Sequence, residues 1–174
     1  MNEFYKNGFT IIRGLVSEEE ALKMAEHLKQ RQDGNLCDPD SLGNPSFYAD
    51  EYMQKKQLEI LPKIEKETGL SLFKTYTYAR IYKKGTILKI HRDREACEIS
   101  ITMDLGGDPW DIWVLDRDEN PIKVKLNPGD ALLYRGCEIW HWRAKFDGDE
   151  HTQVFMHWVD QFGPNAWAKD DINR

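Results

Sequence analysis

The chain has 174 residues, which is long enough for one domain with a hydrophobic core, because a domain of this size buries most of the surface that its unfolded chain exposes. Hydrophobic residues make up 40% of the sequence and charged residues 31%, a mixture typical of a water-soluble globular protein. The formal net charge of −6 argues against broad contact with a phosphate backbone, which needs clustered Lys and Arg. Nucleic acid is therefore not an expected partner.

Membrane association and disulfide bonding are not expected either. No apolar run approaches the roughly 20 residues of a spanning helix, and the amino terminus lacks the basic-then-apolar pattern of a signal peptide. The three cysteines, Cys37, Cys97 and Cys137, are an odd number at wide spacings, so they predict reduced thiols rather than a disulfide framework or a paired zinc site. These features predict a cytoplasmic location.

The first seventy residues predict one strand and two helices. Phe9–Ile12 reads as a short strand. Ser17 is placed to cap a helix that runs to about Gln32, with Glu20 completing a capping-box pattern.

A loop and a second helix follow. Residues 33–45 are rich in Asp, Asn, Gly and Pro, which predicts a loop. Residues 48–68 read as a helix that stops at Gly69, and Pro62 is expected to kink or split it.

From Leu72 onward, short β-branched and aromatic runs alternate with turn signals, which predicts a β-sandwich or barrel. The eight predicted strands are Thr75–Tyr82, Ile87–His91, Glu98–Leu105, Asp111–Leu115, Ile122–Leu126, Asp130–Tyr134, Ile139–Arg143 and Thr152–Val159. The expected fold class is α+β, mainly β: a jelly roll, cupin-like, with the N-terminal helices packed on one sheet. We expect a single domain over 1–174, with supporting elements in 1–70, the jelly-roll core in 71–160 and a tail in 161–174.

Three side chains have the spacing of metal ligands. His91 and Asp93 are two residues apart, so in extended chain both point to the same face of a sheet. His141, after the turn at 128–130, can supply the third ligand from a later strand. Two imidazoles and one carboxylate leave positions on the ion open, as a non-haem Fe(II) oxygenase requires. Zinc with three protein ligands and a water is the chemical alternative.

At this point the chain resembles the 2-oxoglutarate/Fe(II) dioxygenase superfamily, in particular the branch of the prolyl hydroxylases and of small phage and bacterial oxygenases. The residues that carry the resemblance are Tyr82-x-x-Gly85, His91-x-Asp93, the run from Pro128 to Tyr134 and His141. The resemblance implies a double-stranded β-helix and iron bound by His91, Asp93 and His141. It implies the cofactors Fe(II), 2-oxoglutarate and O2, with ascorbate as an optional addition, and hydroxylation of a substrate with release of succinate and CO2.

The resemblance also points to residues that contact 2-oxoglutarate. Tyr82 is expected close to the keto acid. The branch usually holds the distal carboxylate with an Arg or Lys on the last strand, but His151 occupies that position here, and neutral imidazole is a poorer carboxylate anchor than guanidinium. Arg80, on a strand expected to lie beside the last one, is the first candidate to supply the charge. Arg143 is the second, and Ser100 can add a hydroxyl donor.

Two alternatives remain open on the sequence alone. Arg80 can instead form a structural salt bridge with Glu98. The whole chain can instead be a cupin-like metal- or ligand-binding protein without oxygenase turnover. His151, in place of the usual Arg or Lys anchor, supports this alternative. The substrate, a small molecule or a protein side chain, and the oligomeric state are not indicated by the sequence.

Overall fold

The structure is a computed structural model that describes residues 3–37 and 43–171. Parts of two predicted segments lie outside the described residues, namely 38–42 of the predicted loop and 172–174 of the predicted tail. The three helices are α1 (Glu3–Asn7), α2 (Glu18–Gln30) and α3 (Glu51–Thr68). The strands are β1 (Phe9–Ile12), β2 (Ser46–Tyr48), β3 (Leu72–Lys83), β4 (Leu88–His91), β5 (Ile99–Gly107), β6 (Ile112–Leu115), β7 (Pro121–Val124), β8 (Ala131–Arg135), β9 (His141–Arg143) and β10 (Glu150–Asp160).

The strands form two antiparallel sheets. The larger sheet has six strands in the order β1-β8-β5-β10-β3-β2, and the smaller has four in the order β4-β9-β6-β7. All eight strands predicted after residue 71 are present, with ends that shift by a few residues. The mainly β architecture expected from the sequence is therefore confirmed.

The helices pack on the larger sheet, because their apolar faces and one face of that sheet share a core. This core contains Met24 and Leu28 of α2, Ile60 and Ile64 of α3, and Met103 of β5, all nearly inaccessible to solvent. The opposite face of the same sheet is left to face the smaller sheet. Among the described residues, no helix combines the length and the apolar character that crossing a bilayer requires.

The N-terminal predictions hold in outline and fail in detail. Ser17 caps α2 by accepting a 3.1 Å hydrogen bond from the Glu20 amide. The second helix begins at Glu51 rather than 48, because Asp50 is its N-cap and the preceding residues pair with β3 as strand β2. The short helix α1 was not predicted.

Pro62 does not split α3, which is continuous to Thr68 and ends at Gly69 in the left-handed conformation. Pro62 and Leu58, whose carbonyl loses its helical partner, both lie on the exposed side. Water can bond to that carbonyl, so the helix tolerates the proline.

The central strands of the larger sheet bring distant parts of the sequence into register. Strand β10 pairs with β3, so that Gln153 lies opposite Arg80 and His151 opposite Tyr82. Since side chains alternate along a strand, the residues at 78, 80 and 82 share one face. This face points between the two sheets, where the candidate site lies.

Two glycines with left-handed backbones provide a matched test of this packing. A Cβ at Gly107 (φ 104°) would lie 2.3 Å from the carbonyl oxygen of Glu150, whereas one at Gly85 (φ 89°) would have nothing within 4 Å. We expect Gly85→Ala to cost roughly 1–2 kcal/mol from backbone strain alone. Gly107→Ala should cost about 3 kcal/mol or more, because strands β5 and β10 must also separate. Urea unfolding of both variants checks this, and equal losses would contradict it.

Candidate metal centre

Three side chains converge between the sheets where strands β4 and β9 pair. His91 lies directly opposite His141 in that pairing. Nε2 of His141 is 3.4 Å and Nε2 of His91 is 3.7 Å from Oδ1 of Asp93. One donor atom from each of the three lies within 4.8 Å of the others, a spacing that one ion can bridge. The structure thus brings together the three residues that the sequence singled out.

Both imidazoles are oriented by the backbone. Nδ1 of His91 is 2.8 Å from the carbonyl oxygen of Lys89, and Nδ1 of His141 is 3.0 Å from that of Ile139. Each Nδ1 can therefore donate its hydrogen to a carbonyl, which leaves the lone pair of Nε2 directed at the centre. Such bonds fix the tautomer that a metal-binding histidine needs.

The carboxylate of Asp93 is held by its second oxygen. Oδ2 accepts hydrogen bonds from the hydroxyls of Tyr134 (3.1 Å) and Ser100 (3.4 Å), so that Oδ1 faces the imidazoles. Burial alone would raise the pKa of Asp93, but the hydrogen bond of His141 and the charges of His141, His157 and His91 together outweigh it and lower the pKa to about 2. Asp93 is therefore an anion in the folded protein at neutral pH.

The backbone beside Asp93 needs a glycine. The Asp93 amide donates to the carbonyl of Gly136 at 2.8 Å. A Cβ on Gly136 would lie 2.1 Å from the carbonyl oxygen of Cys97 and 2.8 Å from Oδ2 of Asp93. The close approach of these segments depends on the missing side chain at this position.

The three residues open onto a cavity of about 520 Å³. Its lining combines the metal-ligand candidates with aromatic and basic side chains. The lining includes Tyr76, Tyr78, Phe155 and His157 on the larger sheet, and Arg80, Lys89, Arg92 and Arg94 as the cationic groups. A ligand of moderate size can therefore reach the centre from this space.

Arg80 lines the cavity and has no acidic partner among the described residues. Its Nη1 donates to the Tyr82 hydroxyl at 3.2 Å, and its guanidinium lies over the rings of Tyr78 (4.6 Å) and Phe155 (5.9 Å). The salt bridge with Glu98 considered above is not formed, because Glu98 instead accepts from the amide of Asp160. Arg80 forms no salt bridge within the described part of the chain.

Arg143 is more deeply buried, with 1% of its surface exposed. Its Nη1 donates to the Trp110 carbonyl, whereas Nε and Nη2 have no hydrogen-bond partner in the described residues. Burial lowers its pKa, and nearby Asp104, whose own pKa burial raises to about 6, offsets this in part. An ionised guanidinium in such surroundings is costly unless an anion joins it.

His151 carries no charge at neutral pH. Burial and the charge of Arg143 lower its pKa to about 4. Its Nδ1 lies 3.0 Å from the carbonyl oxygen of Asp108, and its Nε2 lies 2.6 Å from Oε1 of Gln153. The ring is thus engaged by neutral groups, although it lies close to Arg143.

The structure adds residues that the sequence reasoning did not assign to the site. Tyr134 holds Asp93, and a second group of possible ligand atoms is formed by Asp93, Cys97 and His157. Nδ1 of His157 is 2.8 Å from the Ser100 hydroxyl. Burial raises the pKa of the Cys97 thiol well above its usual value, so this sulfur is a weak ligand. Alternation along β8 and β10 was the sequence signal for Tyr134 and His157, whereas Cys97 lies in a short turn before β5.

All three cysteines are free. Cys97 is buried and Cys37 is exposed. The prediction of reduced thiols is consistent with this arrangement.

Comparisons with known proteins bear on the fold. No family model and no curated protein matches the chain. Solved structures do: the non-haem α-ketoglutarate-dependent epimerase SnoN from nogalamycin biosynthesis has a TM-score of 0.75 and 11% identity over 90% of this chain and 79% of its own. A Pseudomonas putida prolyl-4-hydroxylase has a TM-score of 0.71 and 13% identity, over 91% of this chain and 95% of its own. HygX from Streptomyces hygroscopicus, with nickel and 2-oxoglutarate bound, has a TM-score of 0.70 and 14% identity, over 91% of this chain and 85% of its own.

The chain therefore shares the fold of these enzymes. Identities of 11–14% establish architecture rather than activity. The chemistry must be argued from the side chains described above.

The neutral state of His151 gives a prediction for pH. The unfolded chain, with the ordinary value of 6.5, takes up a proton before the folded chain does. Stability should therefore fall as pH drops from about 6.5 toward 4, by roughly 3 kcal/mol in total. His151→Gln should remove this loss. Urea unfolding at pH 7 and pH 4.5 measures it, and parallel pH curves for the two proteins would contradict the assignment.

Proposed function

We propose that this chain is a non-haem Fe(II) and 2-oxoglutarate-dependent dioxygenase that hydroxylates a substrate and releases succinate and CO2. The observation that carries the proposal is the convergence of His91, Asp93 and His141, with ligand atoms within 4.8 Å, on a cavity of about 520 Å³. Two imidazole nitrogens and an anionic carboxylate on one side of an ion are a donor set suited to Fe(II).

Structural neighbours support the cofactors. HygX has been seen with iron and with nickel and 2-oxoglutarate, and SnoN with Fe³⁺ and α-ketoglutarate. On this basis the proposed cofactors here are Fe(II), 2-oxoglutarate and O2, with ascorbate as an optional addition. The bound iron would supply the oxidising chemistry, which no side chain of the cavity can provide.

In this proposal, the role of the protein's own residues is to hold the metal ion and to orient its ligands. The two Nε2 atoms and Oδ1 of Asp93 would bind the ion from one side, and the cavity lies on the other. Tyr134 and Ser100 keep the carboxylate in place. Ser100 accordingly acts on the metal ligand in this proposal, rather than on the keto acid.

Arg143 is the proposed partner of the distal carboxylate of 2-oxoglutarate. It lies two residues after His141 on the same strand, close to the His151 position where relatives place their anchor. Its two unpartnered nitrogens match the two oxygens of a carboxylate. His151 is neutral and both of its ring nitrogens already have partners, so it adds no charge to the anchor. Tyr82 lies near both arginines.

Finer statements follow from the same proposal. The two sheets correspond to a double-stranded β-helix, with 1–174 forming one oxygenase domain whose jelly-roll core spans 71–160. We propose a cytoplasmic enzyme acting on a small molecule or a protein side chain.

The metal assignment is tested by anaerobic titration with Fe(II) and 2-oxoglutarate. The chelate is expected to give a weak visible absorption band at about 500 nm, a band that zinc cannot produce. His91→Ala and Asp93→Ala should lose the band and bound iron but keep the wild-type circular dichroism. His27→Ala, which removes a histidine outside the cavity, is the control and should keep both. A wild-type protein without the band would favour the cupin-like binding protein.

The anchor assignment is tested by comparing 2-oxoglutarate with 2-oxovalerate, which lacks the distal carboxylate. In Arg143→Met the dissociation constant for 2-oxoglutarate should rise about 10- to 100-fold, because a hydrogen-bonded charge pair is lost. Binding of 2-oxovalerate and of iron should change little. Arg80→Met is the matched comparison. If the dissociation constant for 2-oxoglutarate rises more in Arg80→Met than in Arg143→Met, Arg80 rather than Arg143 is the anchor.

A further inference from the structure

The cavity has more positive charge than the proposed cosubstrate requires. Its lining contains four cationic side chains and one carboxylate, Asp93, which is committed to the metal centre. Arg94 is neutralised by Asp171 at 2.7 Å. The excess occurs in a chain whose formal net charge is −6, so it is not a reflection of overall composition.

Three of these cations lack an acidic partner in the residues that the structure describes. Arg80 is 6% exposed, its guanidinium lies over the rings of Tyr78 and Phe155, and its Nε has no hydrogen-bond partner in the described residues. Lys89 and Arg92 lie at the exposed mouth and form no salt bridge there. Arg92 is instead placed over the ring of Trp140, at 4.6 Å.

The cosubstrate accounts for only one of the buried charges. 2-Oxoglutarate has two carboxylates, of which one would chelate the ion and the other would meet Arg143. Arg80 then remains as a buried guanidinium without an acidic partner in the cavity lining. A second anion is the simplest compensation, because a buried charge without a counter-ion is costly.

The remaining wall is suited to an apolar or aromatic group. The rings of Tyr76, Tyr78 and Phe155 line one side of the cavity, and Ile87, half exposed, lies at its edge. Flat aromatic surfaces with few polar groups bind apolar ligand bodies. A ligand that enters here thus meets cations at the mouth, a ring-lined wall and one deep guanidinium.

We infer that the substrate is a small organic acid, with a carboxylate or a phosphate on an apolar body, whose anionic group is bound by Arg80 and steered by Arg92. This inference rests on the proposed function, and it names the substrate class of the same site. Arg80 becomes a substrate-recognition residue, distinct in role from Arg143.

The test measures binding rather than turnover. Wild-type protein is loaded with Mn(II), which replaces iron without catalysis, and with saturating 2-oxoglutarate. Isothermal titration then compares 3-phenylpropionate, 2-phenylethyl phosphate, 3-phenylpropan-1-ol and 3-phenylpropylamine. The two acids distinguish carboxylate from phosphate, and the alcohol and amine carry the same ring without negative charge.

We expect the better acid to bind at least about 10-fold more tightly than the alcohol, with the amine weakest, because a charge-assisted hydrogen bond is worth about that much. Arg80→Gln and Arg92→Gln should each reduce the acid-to-alcohol ratio. Lys84→Gln, which removes an exposed charge outside the cavity lining, should leave it unchanged. Arg92 is exposed, so its variant gives a result even if Arg80→Gln fails to fold.

An alcohol that binds as tightly as both acids would overturn the inference, as would a preference that survives both arginine variants. Binding of none of the four compounds at millimolar concentration would overturn it too. Repeating the titrations on metal-free protein separates this inference from the proposed function. A chain that binds neither iron nor 2-oxoglutarate, yet prefers the acids through Arg80 and Arg92, would keep the inference and lose the oxygenase proposal.

Discussion

The site depends on a carboxylate that stays ionised inside the protein. Asp93 is surrounded by His141, His157 and His91, and their charges together with the hydrogen bond of His141 more than offset the cost of burying its carboxylate. A metal ion would strengthen this balance, since it adds positive charge where the two Nε2 atoms already point. The pairing of β4 with β9 sets the geometry, because it places both histidines opposite each other.

Charge is distributed unevenly around this centre. The chain as a whole is acidic, but Arg80 and Arg143 are both buried, and neither forms a salt bridge in the described residues. Cores rarely retain such groups without a partner. Of the two, Arg80 lines the cavity of the candidate metal centre, whereas Arg143 lies buried beside Trp110.

The sequence predicted most of the β-rich core, because alternation and turn residues are local signals. It also predicted that His91, Asp93 and His141 would meet, since His91 and Asp93 share a face by simple strand geometry and His141 follows a clear turn. It did not predict β2, where Tyr48 continues a helical pattern but pairs with Tyr78 of β3 instead. Pairing with a strand thirty residues away is a tertiary effect that no local pattern records.

Roles within the cavity were less predictable. The surroundings of Arg80 and Arg143 depend on residues distant in sequence, such as Phe155 of β10 beside Arg80 and Trp110 beside Arg143. The pKa of His151 depends on burial and on the charge of Arg143, neither of which can be read from its neighbours in sequence. Likewise, the tight contact at Gly136 involves Cys97, far from it along the chain.

The protonated state of Cys97 has a consequence for the durability of the protein. Its sulfur lies close to Asp93 and borders the cavity, in the region where an oxygenase would generate its most reactive species. Thiolates react with peroxides far faster than thiols do. Burial and the neighbouring carboxylate keep this sulfur a thiol, which would slow its oxidation by species formed in the cavity.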